Sequence, residues 1–191
     1  MKKVLPPSLK IYVFDLDDTL YDEPEFVRGG TKSVLKWLAD YYELEYQPLH
    51  ELMNSITAAF PRNEWYQKLI EKAGIPYSQE LINRMVDIYR NHTPDIHLPL
   101  DSSSFLSKIR SKNGVYLGLI TDGMVSVQEL KVKSLGLHKI MDLSVFTWKK
   151  GQEFQKPHPW SYKYIEEKTA ASGVECCYFG NDSSKDFLAP N

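Results

Sequence analysis

The sequence predicts an α/β fold, a parallel sheet flanked by helices, with a bundle of four helices inserted after the first strand. Three observations predict it. Ile11, Tyr12, Val13 and Phe14 form an apolar run of β-branched and aromatic residues, which reads as a buried strand. From about Glu23 to His97 the pattern is helical with little strand signal. From Asp101 onward strand-like and helical segments alternate, which argues for a parallel sheet joined by right-handed crossovers. The implied division is 1–22 with 98–191 as the α/β core, and 23–97 as a helical insertion.

The insertion divides into four helices. Val34, Leu35 and Leu38 give a stripe in a helix over Thr31 to Tyr42, and a second helix runs from Leu49 to Ala59, stopping before Pro61. A third spans Glu64 to Ala73, with Gly74 as its cap and Pro76 beyond. Ser78 caps a fourth that continues to about Arg90, with Leu81, Ile82, Met85 and Tyr89 on one side. Arg62, Trp65, Tyr66 and His92 read as packing or surface residues before they read as ligand contacts.

In the second half, Asp101 or Ser102 caps a helix carrying Phe105, Leu106 and Ile109. Val115 to Ile120 is the next strand, followed by a helix from Ser126 to Ser134 closed by Gly136. Leu143 to Thr147 is a third strand; Pro159 suits the first turn of a helix running to about Lys168. Val174 to Phe179 is the fourth strand.

Composition narrows the partners. A formal net charge of −2 over 191 residues offers no basic footprint for nucleic acid, and no apolar run approaches the length of a membrane span. Met1 to Pro7 lacks a signal-peptide apolar region. Two adjacent cysteines, Cys176 and Cys177, make neither a disulfide framework nor a spaced metal pair, so they read as buried thiols in a reducing cytoplasm.

The polar residues fall where strands end. Asp15, Asp17 and Asp18 close the first strand, Thr121, Asp122 and Gly123 the second, and Gly180, Asn181 and Asp182 the fourth, with Lys156 at a helix start between them. An Asp-rich turn is the plain alternative for the first group. In a parallel sheet, however, all strand carboxyl ends share one edge, where ligands of such sheets bind. Carboxylates suit a hard cation, and a hydroxyl with an ammonium suits a tetrahedral anion. A magnesium ion and a phosphate are the simplest pair.

The same residues resemble the haloacid dehalogenase-like hydrolase superfamily. Asp15, Asp17 and Thr19 match its Asp-x-Asp-x-Thr motif, Thr121 the second, Lys156 and Pro157 the third, and Asp182 with Asp186 the fourth in its Asp-x-x-x-Asp form, in the family's order across almost the whole chain. The resemblance implies a Rossmann-like core whose helical cap closes over a small phosphorylated metabolite. Asp15 would be the nucleophile, Asp17 the general acid and then base, Thr121 a hydrogen-bond donor to a phosphoryl oxygen, and Lys156 the neutralising cation. It implies Mg2+ held by Asp15, the backbone carbonyl of Asp17, and Asp182, with Asp186 in the outer shell or orienting Lys156. Asn181 is the alternative to Asp182 as ligand. Asp122, Gly123 and, in the cap, Arg62 would join Thr121 and Lys156 in binding substrate.

The branches of the superfamily that cleave carbon–halogen bonds or phosphonates lack a carboxylate at the position of Asp17, so phosphate-ester hydrolysis is the expected reaction. A phosphomutase and a noncatalytic phospho-ligand or protein-binding domain are the alternatives. Thr19 is read as fixing the turn, and His158 as helix-start structure. Relatives usually continue past the fourth motif, whereas this chain stops at Asn191. The expectation is a shortened chain, or a partner covering an exposed apolar edge at the fourth strand.

Overall fold

β1 (Ile11–Phe14) is buried along its whole length, which is why every one of its four residues is apolar. The computed structural model describes residues 10–170 and 175–189; the Met1–Pro7 stretch, Val174 and Asn191, on which some expectations fall, lie outside them. Among the described residues β1 joins β2 (Tyr116–Thr121), β3 (Leu143–Phe146) and β4 (Cys176–Phe179) in an all-parallel sheet of order β3-β2-β1-β4. The strand order reverses between β1 and β4, the position at which a doubly wound sheet opens a crevice at its carboxyl edge.

Side-chain alternation gives the sheet two faces. Val13 and Ile120 pack with Ile165 of α7 (Trp160–Thr169) on one. On the other, Phe14 stacks on Phe179 and meets Phe105 of α5 (Leu100–Arg110) edge-on. α6 (Val125–Ser134) follows β2, and Gly136, at φ 70°, ends it in the left-handed conformation that glycine adopts without strain.

Boundaries moved where tertiary contacts outweighed local signals. β2 begins at Tyr116 and includes Thr121, because Thr121 pairs with Phe146 of β3. α5 starts at Leu100 behind Pro99 rather than at a side-chain cap, and Asp101 accepts from the Ser102 N–H within its first turn. The two cysteines are half-buried rather than buried, since β4 is an edge strand among the described residues.

The chain separates into two compact units: residues up to Glu23 with those from Ile96 onward, and Pro24–Asp95. The second is helical. It contains α1 from Pro24 onward (the helix is Glu23–Tyr42), α2 (Tyr46–Ala59), a single 3₁₀ turn at Arg62–Glu64, α3 (Trp65–Lys72) and α4 (Gln79–Asn91). Leu38, Met53, Ile56, Leu69 and Met85 form its apolar core. α1 begins at Glu23, not Thr31, running straight through Gly29 and Gly30. Glycine stands at both positions because α4 and His92, its C-terminal cap, lie against them: a Cβ at Gly30 would sit 2.5 Å from the Tyr89 ring, and one at Gly29 2.9 Å from His92 Nε2. α2 likewise starts earlier, at Tyr46. Ser78 caps α4, its hydroxyl oxygen accepting from the Leu81 N–H at 3.1 Å. Among the described residues no helix is long and apolar enough to cross a membrane.

Candidate active site

Asp15 follows β1 directly, and its N–H donates to the Phe179 carbonyl at 2.8 Å, so the sheet ladder fixes its backbone. The residue is 4% exposed. The Lys156 ammonium lies 2.5 Å from Asp15 Oδ1 and 2.8 Å from Asp186 Oδ1, bridging two buried carboxylates. Burial pushes the Asp15 carboxyl up to about 6, outweighing the attraction of Lys156. For Lys156 burial alone would favour the neutral amine, but the two carboxylates hold its pKa above the ordinary lysine value. Asp186 also accepts from the Tyr178 hydroxyl at 3.3 Å and from the Asp182 N–H at 2.9 Å. Gly180 permits this: a Cβ there would fall on the Asp186 carboxylate.

A second group forms around Asp17. Its Oδ1 accepts from the Tyr21 hydroxyl at 2.6 Å and from Lys131 Nζ at 2.7 Å, and its Oδ2 from Gln128 Nε2 at 3.3 Å. The Thr121 hydroxyl, buried at the end of β2, donates to Gln128 Oε1 at 3.0 Å. Burial, then Asp17, raises the Tyr21 pKa and keeps the phenol protonated. Asp15 and Asp17, two residues apart, are thus each met by a buried lysine.

Other expected site residues take local roles. Asp122 Oδ1 accepts from the Thr147 hydroxyl at 2.7 Å and the Lys156 N–H at 3.2 Å, tying the second motif to the third. Gly123, at φ 112°, turns the chain into α6. Asp182 Oδ1 accepts from Ser184 N–H and Oγ at 2.9 and 2.6 Å, which lowers its pKa. Asn181 lies within 3.5 Å of Thr19 Oγ1. His158 accepts from the Trp160 N–H at the start of α7. In the helical unit, Arg62 lies over the Tyr89 ring and bonds its hydroxyl. There His92 is buried against Phe26, with burial lowering its pKa, and Trp65 donates to the Phe60 carbonyl.

Among the described residues no three His, Cys, Asp or Glu side chains are gathered to hold an ion. The side chain of Asp17 is turned to Lys131, and that of Asp186 to Lys156. The donors that remain suited to magnesium are Asp15, the Asp17 backbone carbonyl and Asp182, all hard oxygens. That fits the way magnesium is held by one or two carboxylates, with water and phosphate completing its shell.

Gln128, Lys131 and Tyr178 were not legible as site residues. The available signal was on α6: Gln128 and Lys131 share a face with Val132 and Leu135, and a lysine on an inward stripe requires an acidic partner.

The sequence model described as haloacid dehalogenase-like hydrolase matches residues 12–190. A glyceraldehyde 3-phosphate phosphatase of Methanocaldococcus jannaschii is 27% identical over 183 residues, 93% of this chain and 78% of that one. A phosphatase of the same name from Pyrococcus abyssi is 26% identical over 161 residues, 81% of this chain and 66% of that one. A subfamily IA, variant 1 hydrolase structure from Geobacter sulfurreducens shares the fold, with a TM-score of 0.65 at 15% identity over 96% of this chain and 82% of that one. With all four motifs on one sheet edge and the family's sequence model spanning nearly its whole length, the chain belongs to the haloacid dehalogenase-like hydrolase family.

Proposed function

We propose that this protein is a magnesium-dependent phosphatase that hydrolyses a small phosphate monoester through an aspartyl-phosphate. The observation that carries the reading is the buried Asp15–Lys156–Asp186 group at the sheet's carboxyl edge. A carboxylate costs several kcal/mol to bury, and a lysine beside it offsets that cost while keeping an anionic nucleophile in place. An oxygen of Asp15 attacks phosphorus as the bond to the leaving oxygen breaks, and Asp17 delivers a proton to that oxygen. Asp17 then takes a proton from water as the water attacks phosphorus, which frees inorganic phosphate and restores Asp15. Lys156 balances charge on Asp15 and the phosphoryl group; Thr121, Asp122 and Gly123 border that group, with Thr121 turning its hydroxyl proton from Gln128 to a phosphoryl oxygen. Magnesium, when bound by Asp15, the Asp17 carbonyl and Asp182, supplies further neutralisation of phosphoryl charge.

The named relatives support glyceraldehyde 3-phosphate as the first substrate to try. Arg62, in the helical cap, is the proposed contact for a second anionic group, and an Arg62→Ala variant with unchanged substrate preference removes that assignment. Cys176 and Cys177, present as thiols, fit a reducing cytoplasm. The test is phosphate release from p-nitrophenyl phosphate and glyceraldehyde 3-phosphate, with and without magnesium. Release should require magnesium and vanish in Asp15→Asn while that variant still melts cooperatively; a folded, active Asp15→Asn enzyme refutes the mechanism. Interconversion of sugar phosphates without phosphate release would identify a mutase.

A further inference from the structure

We infer that Lys131 and Gln128 of α6 are positioning residues for Asp17, fixing its carboxylate in the orientation from which it passes a proton to the leaving oxygen. The inference rests on the phosphatase reading above, because it concerns the step in which Asp17 acts. Lys131 is only 2% exposed on a helix whose inward face also carries Val132. A lysine buried there is costly unless an acid meets it, and the acid it meets at 2.7 Å is Asp17, with Glu23 at 4.0 Å.

The bonds are unequal on the two oxygens. Oδ1 receives two short ones, from Tyr21 and Lys131, and Oδ2 a single longer one from Gln128. Rotating the carboxylate would break the short pair, so its plane is held while Oδ2 stays the oxygen able to exchange a proton. Gln128 also accepts from the Thr121 hydroxyl, so before that hydroxyl turns to phosphate one amide sets it and the proton donor relative to each other.

The chemistry separates positioning from mere structural support. In the first step Asp15 forms a bond to phosphorus, the bond from phosphorus to the leaving oxygen breaks, and the Asp17 proton goes to that oxygen. An alkoxide needs that proton to depart, whereas p-nitrophenolate leaves as a stable anion without it. A displaced Asp17 therefore penalises alkyl phosphates selectively, and kcat/KM reports this step.

The experiment measures kcat/KM for p-nitrophenyl phosphate and glyceraldehyde 3-phosphate in wild type, Lys131→Met, Lys131→Arg and Gln128→Leu, with a thermal melt of each. General acid catalysis is worth about 10²–10⁴-fold, so Lys131→Met should lose about 100-fold on the alkyl phosphate and under about 5-fold on the aryl phosphate. Gln128→Leu should lose about 10-fold in the same sense, and Lys131→Arg should recover most of the lysine's effect. If Lys131→Met does not fold, Gln128→Leu and Lys131→Arg decide the matter. Equal losses on both substrates, or none on the alkyl phosphate, overturn the inference while leaving the phosphatase reading standing. A folded wild type that hydrolyses neither substrate overturns both.

Discussion

Asp142 shows how a single residue closes the sheet where its ladder begins. Its backbone N–H donates to the Leu117 carbonyl, and its carboxylate accepts from the Leu117 N–H at 2.9 Å, so the side chain continues the pairing before β3 starts. Arg110 grips the same carboxylate with both guanidinium nitrogens, at 2.6 and 2.7 Å. The bonds from Arg110 lead in holding the Asp142 carboxyl below its ordinary range, against a partial burial that raises it. A lowered folded-state pKa means the contribution is fully present above the unfolded value, near pH 4, and is lost as pH falls through the folded value. Asp142→Ala should cost about 1–2 kcal/mol at pH 7, mostly from leaving the Leu117 N–H unpaired, because the half-exposed Arg110 pair is screened. Denaturant melts of wild type and variant at pH 7 and pH 3 check this: the difference should shrink at the lower pH, and a pH-independent difference would assign the effect to packing.

For a whole element, α1 is the instructive case. Two adjacent glycines weaken a helix by about 1 kcal/mol each relative to alanine, so local propensity argues for a start after them. The helix nonetheless runs through both, and the residues are glycine because Tyr89 of α4 and His92, which caps it, occupy the space that side chains would take. Gly30→Ala should therefore destabilise despite its better propensity, by about 1–3 kcal/mol, since the Tyr89 ring must move. A raised melting temperature in Gly30→Ala would show that α1 and α4 are not packed this closely. Ser78→Ala, at the cap of α4, should cost about 1 kcal/mol in the same assay.

Across the molecule, the apolar cluster of Pro24–Asp95 is built from that unit's own helices, from Val34 on α1 to Met85 on α4. A unit with its own core can fold alone. Expressed by itself, 24–95 should show helical circular dichroism and a cooperative melt; a noncooperative, molten response would mean that its order depends on the rest of the chain. In the α/β unit β4 lies at a sheet edge among the described residues, with β1 on one side only. That position leaves its cysteines half-buried, and burial still pushes the Cys176 thiol up to about 11, too high for a reactive thiolate at neutral pH.

The sequence by itself determined the α/β class, the parallel sheet and the residues at its carboxyl edge. Those properties are local: hydrophobic period sets strand and helix, and polar groups that interrupt an apolar run mark strand ends. Asp15, Thr121, Lys156 and Asp182 were legible for that reason. Only the tertiary structure decided what each carboxylate faces. Asp17 is turned to Lys131, a pairing 114 residues apart in the chain that no short-range pattern encodes, and of the two roles the resemblance left open to Asp186 its side chain stands beside Lys156. The early start of α1 was decided the same way, since the space above Gly29 and Gly30 belongs to a helix almost sixty residues further along the chain.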